Sequence, residues 1–159
     1  MANTYSQIYL HVVFAVAGRA RLIPTEHQET LYKFITGIVR NRGQKLLAIN
    51  GMPDHVHLLL HVQPEVAPSD LVRDIKANSS RFITTQGWVR GGSFAWQRGF
   101  GIFSYAPSQL ASVIRYIERQ QAHHATRSFQ QEYRALLALF QIPYDEQYLF
   151  TDPYQTDEG

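Results

Sequence analysis

The segment Met52-Pro53-Asp54-His55-Val56-His57-Leu58-Leu59-Leu60 constrains the fold of this chain more than any other, because it reads as a buried β-strand that carries two imidazoles. Successive side chains of a strand point to opposite faces, so His55 and His57 share one face. Val56, Leu58, Leu60 and Val62 occupy the other, an apolar set suited to packing under helices. Two neutral imidazoles on one rigid strand make half of a metal site. Paired histidines on a strand also occur as half-exposed polar residues, so His-x-His alone does not specify a metal.

A second element lies about 60 residues downstream, Leu110 to His124, reading LASVIRYIERQQAHH. Leu110, Val113, Ile114 and Ile117 form one apolar stripe at helical spacing, which predicts a single amphipathic helix across the segment. Tyr116 and Gln120, four residues apart, lie one turn above each other on the flank of that stripe. If the helix docks against the histidine strand, position 116 brings a phenol and position 120 a side-chain carbonyl to the same place. A nucleophile then stands beside a third, oxygen ligand. On pattern alone Tyr116 reads more often as a packed tyrosine than as a nucleophile.

Three stretches together resemble the single-tyrosine HUH transposases of small insertion sequences (TnpA type) and their relatives associated with repetitive extragenic palindromes. They are MPDHVHLLL at 52–60, WQRGFGIFSYAPSQL at 96–110, and YIERQQAHH at 116–124 followed by Ser128-Phe129-Gln130-Gln131-Glu132-Tyr133. The resemblance spans residues 4–140 with the blocks in the family's order. It implies that His55, His57 and Gln120 are metal ligands for Mg²⁺ or Mn²⁺ and that Tyr116 is the nucleophile. It further implies a homodimer whose tyrosine helices are exchanged between protomers, acting on single-stranded DNA with hairpin ends. Phe100 departs from the pattern, in which many relatives have tyrosine; no catalytic role depends on that position.

Composition sets bounds on these readings. A chain of 159 residues with 45% hydrophobic and 13% aromatic content suits one globular domain with a genuine core. No cysteine is present, which excludes disulfide scaffolds and thiolate metal sites and agrees with a reducing cytoplasm, where a DNA-bound protein would associate with the nucleoid. Neither a signal-like beginning nor a long apolar stretch points to secretion or a membrane. The net charge of +2 hides an asymmetry: residues 1–142 hold 15 basic and 8 acidic residues, whereas 143–159 form an acidic tail with five acidic residues and no Lys or Arg. The body, read as one catalytic and DNA-binding domain, is therefore the part expected to meet polyanions.

The order of elements predicts an α+β domain. A first strand runs from about Ser6 toward Gly18; Thr25 caps a helix to about Arg42, stopped by Gly43. Lys45–Met52 and the histidine strand form a hairpin, and Pro68-Ser69-Asp70 opens a helix ended by Gly87. After Arg90-Gly91-Gly92-Ser93, a fourth strand or hairpin is expected within Trp96–Tyr105, then the tyrosine helix from Pro107-Ser108, and another helix from Ser128 to about Phe140. This β-α-β-β-α-β order is the ferredoxin-like, RRM-like antiparallel sheet with helices on one face, followed by a C-terminal catalytic helix.

The chemistry implied is metal-dependent transesterification, in which Tyr116 attacks a phosphodiester, forms a 5′-phosphotyrosine and releases a 3′-hydroxyl. Two alternatives stand beside it, a non-catalytic hairpin-DNA-binding module and a metal-dependent phosphodiesterase that uses water. No base for the phenol stands out in the sequence. His123 and His124 read as helix-end residues facing the C-terminal dipole, His61 as a surface residue, and His11 as either a neighbour of the site or polar filling. Trp88, Trp96, Phe100 and Phe103 suit either base stacking or packing.

Overall fold

In the computed structural model, residues 3–91 and 94–150 are described. The histidine strand, β3 (His55–Val62), is buried along nearly its whole length, and burial on both faces requires a neighbour on each edge and a layer above and below. Antiparallel partners supply the edges: the sheet order is β2-β3-β1-β4, with β1 Ile8–Ala15, β2 Lys45–Met52 and β4 Gly101–Ser104. Two helices, α1 (Gln28–Asn41) and α2 (Pro68–Gln86), cover one face. There Val56, Leu58, Leu60 and Val62 meet Leu31, Ile35, Val39 and Ile75 in the main core. Burying each such side chain contributes roughly 1.5–3 kcal/mol, so this face supplies most of the driving force that holds β3 rigid.

The opposite face bears His11, His55, His57 and Leu59, all fully buried. Its cover comes from the C-terminal half: α3 (Leu110–Glu118), α4 (Gln120–His123) and α5 (Phe129–Leu139). Val113 and Ile117 of α3 pack on Leu59, and Phe129, Tyr133, Leu136 and Leu137 of α5 pack on Val13, Ala15 and Phe103. Ser128 caps α5, accepting a bond from the Gln131 amide while the Gln131 side chain accepts from the Ser128 amide.

Several elements differ from the sequence expectation. The segment 110–124 is not one helix: it breaks at Arg119 (φ −99°, ψ 23°) into α3 and α4. The reason is a competing donor. The Asn50 amide on β2 donates to the carbonyls of Ile117 and Glu118, both at 3.0 Å, and Gln121 donates back to Asn50 Oδ1 at 3.0 Å. These bonds take up carbonyls that a continuous helix would spend internally. Thr25 opens a 3-10 turn, Thr25–His27, without a side-chain cap, and α1 starts at Gln28. The first strand ends at Ala15, and the fourth is only Gly101–Ser104, with Trp96 making an isolated bridge to Val16. Gly99 (φ 79°) interrupts the extended run before β4. Gly101 lets α5 approach, since a Cβ there would lie 2.6 Å from Tyr133 Cε2.

The described part of the acidic tail folds back on the body. The short helix α6 (Glu146–Leu149) pairs with Arg134 at 3.0 Å through Glu146, and the Phe150 ring lies under the guanidinium groups of Arg19 and Arg134. Asp152, Asp157 and Glu158 of the tail, and Gly92-Ser93 of the glycine-rich connection, lie outside the described residues.

Candidate metal centre and tyrosine site

His55 and His57 project from β3 into the space closed by α3, α4 and α5, and both are fully buried. Tyr116 on α3 and Gln120 on α4 reach the same space, so all four residues singled out in the sequence converge. His55 Nε2 lies 3.1 Å from Gln120 Oε1. The Tyr116 ring lies edge-on to His57, with centroids 6.0 Å apart. Because Asn50 anchors the end of α3 to β2, the helix break leaves this convergence intact; Tyr116 and Gln120 address one common neighbour.

That neighbour is Glu132 on α5, fully buried and absent from the candidate residues read in the sequence. One carboxylate oxygen, Oε1, accepts from His57 Nε2 at 2.8 Å and His124 Nε2 at 3.0 Å, with His55 Nε2 at 3.5 Å. The other, Oε2, accepts from the Tyr116 hydroxyl and from Gln120 Nε2 at 3.1 Å. Arg127, on the connection between α4 and α5, donates through Nη2 to the Tyr116 hydroxyl at 3.2 Å. A readable signal existed for Glu132. It falls on the apolar stripe Phe129, Glu132, Tyr133, Leu136, Leu137, and a carboxylate on a buried stripe is rare unless paired. His124, read as a helix-end residue, also belongs to the cluster, because the break at Arg119 and the turn after α4 direct it toward α5.

Behind the histidine pair stands a second layer. His11 on β1 lies opposite Leu59 in register and hydrogen-bonds through Nε2 to His57 Nδ1 at 2.8 Å. It therefore abuts the site. Asp54 holds His55 Nδ1 at 2.7 Å. Each strand histidine thus has one nitrogen oriented by a supporting residue and the other aimed at the centre, the arrangement that sets imidazole tautomers at metal sites. His61 instead stacks on Tyr9, 5.0 Å between centroids. His123 stacks on Tyr116 at 4.6 Å. Trp88, Trp96, Phe100 and Phe103 all pack with the hydrophobic clusters.

The electrostatics separate the two strand histidines. Burial would lower the His55 pKa, yet the hydrogen bonds and charges of Asp54 and Glu132 outweigh it and raise it to about 9. Burial prevails at His57, assisted by His55 and His124, and lowers its pKa to about 4 despite Glu132. His11 is held well below the ordinary value by burial and by His57. Glu132, although burial opposes ionisation, is held strongly anionic by the bonds from His124, His55 and His57. The Tyr116 phenol is pushed up by burial and by the Glu132 charge, against a smaller opposing effect of Arg127. A neutral His57 that donates Nε2–H to Glu132 accepts at Nδ1 from His11, which leaves His11 Nδ1 buried without a partner among the described residues.

The donor set suits a divalent cation. One imidazole nitrogen from each of His55, His57 and His124 and a Glu132 oxygen all lie within 4.8 Å of one another. Imidazole nitrogen, carboxylate oxygen and amide oxygen together accept first-row metals and Mg²⁺ in principle.

The fold thus sets paired histidines on an inner strand of an antiparallel sheet, where a helix-borne tyrosine and glutamine meet them. The family model described as "Transposase IS200 like" matches residues 4–120, and the chain belongs to this family. A sequence relative is the ISDra2 transposase TnpA of Deinococcus radiodurans, 28% identical over 119 residues, 72% of this chain and 84% of the relative. Among solved structures, a Deinococcus radiodurans R1 protein assigned as a transposase superposes with TM-score 0.59 at 25% identity, covering 74% of this chain and 94% of that one. A REP-associated tyrosine transposase bound to a REP hairpin shares the fold, with TM-score 0.58 at 16% identity over 99% of this chain and 94% of that one. His55, His57, Tyr116 and Gln120 fall inside the matched span, while His124, Arg127 and Glu132 lie beyond it.

Among the described residues, no helix is long and apolar enough to cross a membrane.

Proposed function

We propose that this protein is a metal-dependent single-stranded DNA transposase that cleaves and rejoins hairpin-flanked DNA through a 5′-phosphotyrosine on Tyr116. The observation that carries the reading is the convergence of Tyr116, Gln120, His55 and His57 in one buried centre. His55, His57 and Gln120 are the assigned metal ligands, with Glu132 and His124 as further donors within reach. A bound divalent cation would neutralise charge on the scissile phosphate and favour the phenolate.

The residues themselves divide the remaining work. Tyr116 oxygen forms the bond to phosphorus as the bond to the 3′-oxygen breaks; the phenolic proton passes to water in the cleft beside Tyr116, and the departing oxygen takes up a proton from water as a 3′-hydroxyl. In the arrangement described, the phenol stays protonated, because Glu132 is committed to three imidazoles and is a weak acceptor of a full proton. Arg127 lies beside the hydroxyl and opposes that bias by stabilising negative charge on the tyrosine oxygen. His11 and Asp54 orient the strand histidines. One phosphodiester is exchanged for another, so joining proceeds by reversal without a nucleotide cofactor.

A single chain brings Tyr116 to its own His57. A homodimer with exchanged tyrosine helices, which the proposal includes, would reproduce the same contacts between protomers, and a monomer mass in light scattering at micromolar concentration would exclude it. The chemistry is tested by incubating the protein with single-stranded DNA carrying hairpin-flanked sites, with Mn²⁺ or chelator, and resolving adducts on a denaturing gel. A metal-dependent adduct absent from Tyr116→Phe is expected. Cleavage without an adduct would point to hydrolysis by water, and hairpin binding without cleavage to a binding module.

A further inference from the structure

Beside Tyr116 a cleft of about 530 Å³ opens between α3 and α5, and neither the family match nor the metal centre accounts for its shape. Its size lies within the range of small-ligand sites. Val113 on one wall and Leu136 and Leu139 on the other are apolar, and Tyr105 at the end of β4 adds an aromatic surface. Ser112 and Gln109 place a hydroxyl and an amide at the edge. At the inner end stand the Tyr116 hydroxyl and the Arg127 guanidinium, 3.2 Å apart, with the Arg127 side chain 35% exposed.

The cleft is therefore amphipathic in a particular order: apolar and aromatic walls, hydrogen-bonding groups at the edge, and a cation at the deep end beside the nucleophile. Glu132, the anion also facing it, is fully buried and engaged by His57, His124 and Gln120. A ligand that satisfies this order has a flat ring that can stack, edge donors and acceptors, and an anionic group. A nucleoside with its 5′-phosphate has all three. Resting on the transesterification reading above, we infer that this cleft holds the nucleotide that keeps the scissile phosphate, with Arg127 gripping a non-bridging oxygen and the base lying between Tyr105, Val113 and Leu136. A nucleotide joined to Tyr116 through one phosphate cannot leave this vicinity, and the cleft is the concave space into which Tyr116 opens. Arg127 would then contact both the nucleophile and the group it attacks, which makes it a catalytic residue of the proposed reaction. A forked guanidinium suits this double contact in a way that a lysine ammonium does not.

The test uses the full chain and two independent readouts. In the first, the four deoxynucleoside 5′-monophosphates are titrated into isotopically labelled protein in the presence of chelator. Shifts at Tyr105, Ser112, Val113 and Leu136 are expected, and Arg127→Ala should weaken binding about tenfold or more, while unphosphorylated deoxynucleosides bind both proteins equally weakly. In the second, Ala135→Trp, which fills the cleft from the exposed side of α5, should reduce adduct formation at least tenfold with hairpin binding and thermal stability unchanged. Shifts confined to another surface, or equal affinity of Arg127→Ala for the monophosphates, would overturn the assignment. So would wild-type adduct formation by Ala135→Trp, which would leave the tyrosine chemistry standing without this cleft. Nucleotide binding in the cleft with no adduct under any condition would instead retain the site and remove the transesterification reading.

Discussion

Removing Glu132 tests whether the buried cluster exists in solution as one connected unit. In Glu132→Ala the carboxylate that accepts from His57 at 2.8 Å, His124 at 3.0 Å, Gln120 at 3.1 Å and the Tyr116 hydroxyl disappears. His55, whose protonation Glu132 supports, loses a counter-charge at a fully buried position. Breaking a buried charge pair by removing one member costs about 3–5 kcal/mol. Rearrangement within the cluster limits the loss, since His55 can deprotonate and Gln120 can rotate, so the lower half of that range is the expectation for metal-free protein. For a chain of this size each kcal/mol moves the unfolding midpoint by roughly 2–4 °C, which places the fall at about 6–16 °C. Glu132→Gln keeps one acceptor and should lose less than half as much. Thermal unfolding followed by far-ultraviolet circular dichroism at neutral pH in chelator measures both. A midpoint for Glu132→Ala within 2 °C of wild type would refute the connected cluster, because four donors, two of them fully buried, cannot lose their acceptor without cost.

Three further outcomes follow from the same geometry. In chelator, stability should pass through a maximum near neutral pH: the raised His55 pKa stabilises below the unfolded value near 6.5 and loses that contribution as pH climbs through about 9, while neutral His57 costs stability as pH drops from 6.5 toward about 4. Urea midpoints across pH 4 to 9 measure this, and a monotonic profile would contradict the opposite shifts. His11→Phe, which removes the partner of His57 Nδ1, should weaken divalent-metal binding about tenfold by titration calorimetry with secondary structure retained; unchanged affinity would show that strand packing alone orients His57. Gly101→Ala puts a Cβ 2.6 Å from the Tyr133 ring and should destabilise by about 1–3 kcal/mol in denaturant unfolding, whereas a neutral effect would mean that α5 does not rest on β4 as described.

What the sequence by itself determined was everything encoded by local periodicity. Alternation in β3 fixed which face carries His55 and His57, and the spacing of Leu110, Val113, Ile114 and Ile117 set the face of α3 on which Tyr116 rides. The order of strands and helices followed from turn residues and capping, and the sheet topology agrees with it. Contacts between elements distant in the chain were decided only by tertiary structure. The break at Arg119 depends on Asn50, 69 positions earlier, whose amide reaches the α3 carbonyls only once β2 lies beneath them. His11 joins the centre because β1 pairs with β3. Glu132 becomes the hub because the Ser128 cap starts α5 where its stripe faces the sheet, and a lone carboxylate in a helical sequence does not announce which imidazoles will surround it. Local patterns record which way a side chain points, whereas its hydrogen-bond partners and its pKa depend on what the rest of the chain brings within about 4 Å.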